Sequence, residues 1–142
     1  MSESLKLSNQ ICFPIYSLSK EIIQQYRPFL DELDLTYPQY LVMLVLWEND
    51  FLTVGQIGEK LNLDTGTLTP LLKRLELKKC INRTRSEEDE RIVRISLTDF
   101  GKKLKEKAVC IPSKMREQYD LSEEELIVFN TIIQKILTKQ NK

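Results

Sequence analysis

With 142 residues and 21 Lys plus Arg against 21 Asp plus Glu, the chain is the size of one domain and carries no net field that would gather polyanions. It has no histidine, and its three cysteines, Cys12, Cys80 and Cys110, are scattered, which argues against a structural zinc site, a Ser-His-Asp triad or a Cys-His couple. No apolar run is fit to span a bilayer and "MSESLKLSNQ" lacks the order of a signal peptide, so a cytoplasmic protein without a membrane partner is expected. In that compartment a cysteine that matters does so as a reactive thiol.

The first helix contains "CFPIYSLSKEII". Pro14 lacks a backbone N–H and suits a first turn, so the run is expected to begin around 13–15. Cys12 then stands at a helix N-terminus, where the positive dipole end favours a thiolate. In "LTYPQYLVMLVLWEND", Thr36 and Gln39 read as a capping box, with Leu35 and Tyr40 as its hydrophobic staple. Thr53 and Gln56 repeat the box one helix later, with Leu52 set to pack on Ile57. Asp64 reads as the N-cap of "TGTLTPLLKRLE", whose Leu68, Leu71, Leu72 and Leu75 make one apolar stripe. Only "NLD" separates these last two helices, the spacing of a helix-turn-helix pair.

Beyond them the period falls to two. "INRTR" and "IVRISL" are short and alternating, and the polar "SEEDE" joins them as a hairpin. Thr98 caps the next helix, which Pro112 is expected to bend or interrupt. Ser122 and Glu125 box the last helix, whose apolar set Leu126, Phe129, Ile132, Ile133, Ile136 and Leu137 is broad.

This order predicts a mainly α fold: a winged helix-turn-helix with a two-stranded wing and long N- and C-terminal dimerisation helices. We expect one domain over 1–142, with its DNA-binding core at about 36–98 and dimerisation elements at about 5–35 and 99–142, because the end helices carry more apolar surface than so small a core covers. Thr65, Thr69 and Lys73 lie away from the leucine stripe with Gly66, Thr67 and Arg74 beside them, and hydroxyls there suit phosphates and base edges. A solvated polar face looks similar. The hairpin tilts the balance toward nucleic acid, since Lys73, Arg74, Lys78, Lys79, Arg83, Arg85, Arg91 and Arg94 cluster in a neutral chain. Asp89, two residues before Arg91, is placed to orient that guanidinium for a minor groove.

"LDTGTLTPLLKRLE", followed by "RTRSEEDERIVRISLTDFGKKL" with its D-x-R and L-T-x-x-G, resembles the MarR family of winged-helix regulators. "CFPIY" and "LTYPQYLVMLVLW" narrow the resemblance to the organic-hydroperoxide-sensing, OhrR-type branch. The resemblance implies a homodimeric repressor on pseudo-palindromic operator DNA. It puts Asp64, Thr65, Thr67 and Arg74 on or behind the recognition helix, and Arg91 in the minor groove, held by Asp89. It matches Cys12 to the peroxide-sensing cysteine, Tyr26 and Tyr37 to tyrosines that bond it across the dimer interface, and Tyr16 to a further tyrosine nearby. Pro14 departs from the helical continuation that relatives often carry, which puts the geometry beside the sulfur in question.

The branch divides into one-cysteine sensors, completed by a low-molecular-weight thiol, and two-cysteine sensors, in which a distal cysteine of the partner subunit resolves the sulfenic acid. Cys110 is the candidate resolver here, the alternative being a buried spectator; Cys80 reads as inert. Rival functions are a regulator that answers an apolar or phenolic ligand in the dimer cleft, a thiol peroxidase, and a winged-helix protein-interaction module. No cofactor is expected.

Overall fold

The computed structural model describes residues 2–140; positions 1, 141 and 142 of the expected domain and of its C-terminal dimerisation element lie outside them. Two short 3-10 turns, Ser2–Leu5 and Leu7–Asn9, precede α1 (Cys12–Asp31). There follow α2 (Tyr37–Glu48), β1 (Leu52–Thr53), α3 (Val54–Leu61), α4 (Thr65–Leu77), β2 (Ile81–Arg85), β3 (Val93–Leu97), α5 (Asp99–Ala108), α6 (Ile111–Tyr119) and α7 (Glu123–Gln140). The chain falls into two compact units, one ending at Val109 and the other starting at Cys110.

The helix starts follow the local code. The side chains of Thr36 and Thr53 accept from the backbone N–H groups of Gln39 and Gln56, while each glutamine answers with its own oxygen, closing both capping boxes. Thr98 accepts from the Gly101 N–H, and Ser122 and Glu125 close a third box at α7. Each such cap satisfies backbone donors that the first helical turn leaves without partners, a contribution of about 1 kcal/mol. Pro112 stands in the first turn of α6, so it interrupts rather than bends the helical run.

In the first unit, α2 is the central helix, packed on α1, α3, α4, α5 and β3. Val42, Met43, Ile57, Leu68, Leu72, Leu75 and Ile95 are sealed from solvent. Burial of one such side chain is worth about 1.5–3 kcal/mol. Leu71 is only half-buried, at the margin of the predicted stripe. The wing is larger by one strand than predicted: β1 pairs antiparallel with β3, Leu52 opposite Ile95 and Thr53 opposite Arg94, giving the order β1-β3-β2. Asp50 ties that edge down, its Oδ1 accepting from the N–H groups of Phe51 (2.8 Å) and Leu97 (2.9 Å).

One glycine is fixed by close approach. A Cβ on Gly101 would stand 2.1 Å from the Cys80 carbonyl oxygen, so only a glycine lets α5 start against the end of the α4–β2 turn. Thr98 Oγ1 donates to Lys79 O (2.6 Å) and Trp47 Nε1 donates to Gly101 O (2.9 Å), clamping the same junction. The L-T-x-x-G pattern is thus a packing device at the base of the wing.

Runs of apolar side chains stand in solvent on α1 and on α7. On α1 these include Phe13, Ile15, Leu18 and Ile23; on α7 they include Ile127, Phe129, Ile132, Ile133, Ile136 and Leu137. Among the described residues no helix is long and apolar enough to cross a membrane.

Candidate nucleic-acid interface and thiol site

The α3–α4 pair presents the N-terminal turn of α4 outward. Asp64 Oδ1 accepts from the Thr67 N–H at 3.0 Å, and the hydrogen bonds from Thr67 hold the Asp64 carboxyl below its ordinary range. Thr65, Gly66, Thr67, Lys73 and Arg74 are exposed. Thr69 is half-buried, and its hydroxyl donates back to the Thr65 carbonyl at 2.8 Å, leaving only its lone pairs and methyl for a ligand. A Cβ on Gly66 would meet nothing within 4 Å, so the fold itself does not require glycine there.

The wing tip is knit by its own short-range bonds. Ser86 N–H donates to Ile92 O (2.8 Å), Ile92 N–H to Asp89 O (2.9 Å), and Arg85 Nη1 to Glu90 O (2.9 Å). On that platform Arg91 donates from Nε to Asp89 Oδ1 (3.1 Å) and from Nη2 to Asp89 Oδ2 (3.2 Å), and its backbone N–H adds a third bond to Oδ1 (3.0 Å). The pairing lowers the Asp89 carboxyl below its usual range, Arg91's side chain contributing most. The Arg91 side chain nevertheless remains 90% exposed.

Arg83 is placed otherwise. Its backbone N–H donates to Glu76 Oε2 (3.2 Å), its guanidinium lies 3.8 Å from Glu76 Oε1, and only 19% of the side chain is exposed. It ties strand β2 to α4 and faces the helix more than the solvent.

The three thiols have three different surroundings. Cys12 is exposed and is the first residue of α1, preceded by Ile11 with no side-chain cap. Cys110 is exposed in the single chain at the start of α6, and its carbonyl accepts from Ser113 Oγ at 3.1 Å. Cys80 is buried, and burial pushes its thiol up, away from the reactive thiolate.

Tyr26 on α1 and Tyr37 on α2 come together with ring centroids 4.8 Å apart. Tyr40 joins them at 5.7 and 6.3 Å, and Trp47 meets Tyr40 edge-on at 6.3 Å. The sequence marks Tyr40 only as a staple, although its i, i+3 spacing from Tyr37 on one helix is the signal for its place in this group. Tyr16 is not in this group: it is 61% exposed, and Lys20 Nζ lies 5.2 Å from its ring centroid. Cys12 and Tyr26 lie on one continuous helix, 14 residues and therefore about 21 Å apart along its axis. Within one chain the sulfur does not reach that tyrosine; a bond between them needs a second copy.

The family described as transcriptional regulator SarA/Rot matches residues 24–108. The chain is 59% identical over 110 residues to the organic hydroperoxide resistance transcriptional regulator of Bacillus subtilis, covering 78% of this chain and 75% of that protein. Reduced AbfR bound to DNA superposes with a TM-score of 0.79 and 36% identity, over 96% of both chains; the AbfR protein is from Staphylococcus epidermidis. AbfR with its disulfide formed matches with a TM-score of 0.69 and 37% identity, over 99% of this chain and 97% of that one.

Proposed function

We infer the function from one premise: the chain belongs to the MarR family of winged-helix transcriptional regulators, within its organic-hydroperoxide-sensing, OhrR-type branch. On it we propose a cytoplasmic, homodimeric repressor that holds pseudo-palindromic operator DNA while Cys12 is reduced and releases it once Cys12 is oxidised. It is a regulator and not an enzyme. The observation that carries the reading is the pairing of an exposed thiol at the first residue of α1 with the Tyr26–Tyr37 contact at the far end of that helix.

The apolar faces that α1 and α7 leave in solvent supply surface for a second copy, with dimerisation elements at about 5–35 and 99–142. Two-fold symmetry then sets two α4 helices in successive major grooves. Thr65, Thr67, Thr69, Lys73 and Arg74 face that groove, with Asp64 as their cap, and Arg91 enters the minor groove from the wing. Arg83, paired with Glu76, positions the wing.

In the reduced dimer the hydroxyls of Tyr26 and Tyr37 donate to the Cys12 thiolate of the partner subunit, with Tyr16 flanking it. That thiolate attacks the outer oxygen of an organic hydroperoxide: an S–O bond forms, the O–O bond breaks, and the leaving alkoxide takes a proton to become an alcohol. A second thiol then attacks the sulfenic acid, forming an S–S bond and releasing water. Cys110 of the partner subunit serves as that thiol, and a low-molecular-weight thiol is the alternative. The exposure of Cys110 and the disulfide form of AbfR support the former. Moving the sulfur out of the tyrosines shifts the α1–α2 corner and spoils the spacing of the two recognition helices.

The experiment is a DNA mobility shift beside a non-reducing gel, before and after stoichiometric cumene hydroperoxide, for wild type, Cys12→Ser and Cys110→Ser. The reading expects release by wild type only, with a covalent dimer that either substitution abolishes. Release that needs Cys12 but forms no covalent dimer assigns the second step to an external thiol. An unchanged response of Cys12→Ser overturns the thiol reading.

A further inference from the structure

Resting on that reading, we propose that Lys78 is a positioning residue that couples the tyrosine-bearing corner of the fold to the recognition helix. Its charge belongs to the basic cluster of the sequence, but its ammonium does not join the DNA-facing surface. Lys78 caps the C-terminus of α4, its backbone N–H bonding the carbonyls of Arg74 and Glu76. From there the side chain runs back to the loop between α1 and α2. It donates to the Asp34 carbonyl and to Gln39 Oε1 (3.1 Å), and stands 3.7 Å from Asp34 Oδ1. Two of the ammonium's three donors are thus taken by acceptors at this corner, with the Asp34 carboxylate as a nearby counter-charge.

The acceptors are what make the contact informative. Gln39 is 2% exposed, and the oxygen that receives Lys78 is the one that receives the Thr36 N–H (3.0 Å) to close the α2 capping box. Tyr37 is the residue immediately after Thr36 and the first of α2. Asp34 sits in the left-handed region at φ 55°, where the chain turns out of α1, the helix that carries Cys12 and Tyr26. One glutamine oxygen therefore ties the start of the Tyr37 helix to the end of the recognition helix. Lys79, the next residue, turns at φ 63° into strand β2 of the wing. A shift of the α1–α2 corner is passed through this tether to α4 and to the wing base together.

Lys78→Met keeps the stem and removes the head. It leaves no buried orphan, because Gln39 Oε1 retains the Thr36 N–H and Asp34 is exposed. The probe is a DNA duplex selected by reduced wild-type protein from a random-sequence pool, and affinity is measured with and without cumene hydroperoxide over a range of salt. We expect reduced Lys78→Met to bind within about twofold of wild type, and oxidation to weaken its binding at least about tenfold less than it weakens that of wild type. Lys78→Arg, which keeps a cation within reach of both acceptors, restores the wild-type response. Equal loss on oxidation in Lys78→Met and wild type overturns the tether. So does a weaker reduced complex whose log K against log salt slope drops by about 0.9, since that marks a phosphate contact. Wild type holding DNA equally in both states overturns the redox reading itself, and the tether with it. Should Lys78→Met unfold on a thermal melt, Lys78→Leu, which likewise carries no donor, gives the same comparison with the same deciding outcomes.

Discussion

Asp89 grips Arg91 through two parallel hydrogen bonds, 3.1 and 3.2 Å, while the arginine side chain stands 90% in solvent. An exposed pair of this kind adds little to stability, and we give it no stability role. What the carboxylate fixes is direction, since a planar fork held bidentately cannot swing freely.

Arg91→Ala is therefore expected to weaken DNA binding by about 1–3 kcal/mol without changing the melting temperature. Asp89→Ala, which removes no cation, is expected to weaken binding by a smaller amount and in the same sense. Titration of a fluorescent duplex with each variant checks both; full affinity in Asp89→Ala would show that Arg91 needs no holding.

The pH behaviour follows from the same contact. The Asp89 carboxyl, and that of Asp64 at the recognition-helix cap, titrate below the ordinary carboxylate range in the folded protein. The ordering each carboxylate gives its partner is fully present above the ordinary carboxylate range and is lost only as acid carries the pH down through the lowered one. With no histidine in the chain, DNA affinity of Cys12→Ser should be flat between about pH 6 and 8. A marked slope in that interval would point to a group outside this account.

Two glycines should respond oppositely to alanine. Gly101→Ala drives a methyl to within 2.1 Å of a backbone oxygen, so the fold is expected to lose about 3 kcal/mol or more, visible as a fall of roughly 10 °C in melting temperature. Gly66→Ala meets open space and replaces a poor helix former, so it should stabilise by up to about 1 kcal/mol. If Gly66 is glycine to let DNA backbone approach, the more stable variant binds DNA less well; unchanged binding would leave the glycine without a role at the interface.

The helix starts were readable because each cap is a code within four residues: Thr36 with Gln39, Thr53 with Gln56 and Ser122 with Glu125 all close as read. Strand β1 was not readable, since two residues cannot display an alternation and Leu52–Thr53 becomes a strand only against Ile95 and Arg94. Distance along the chain hid the rest. Lys78 looked like one more cation of a basic cluster because its acceptors are 39 and 44 residues away. Arg83 stands in the same basic cluster, and nothing in the residue pattern announces Glu76, seven residues away, as its partner. The separation of Cys12 from Tyr26 on one helix follows from counting residues, yet it gains meaning only when Tyr37 is seen against Tyr26.

The most direct test of the central claim is the operator affinity of the wild-type dimer before and after one equivalent of cumene hydroperoxide, measured beside Cys12→Ser. Wild type should lose most of its affinity, recovered with dithiothreitol, and Cys12→Ser should lose none. An equal loss in both proteins, or no loss in either, would contradict the claim.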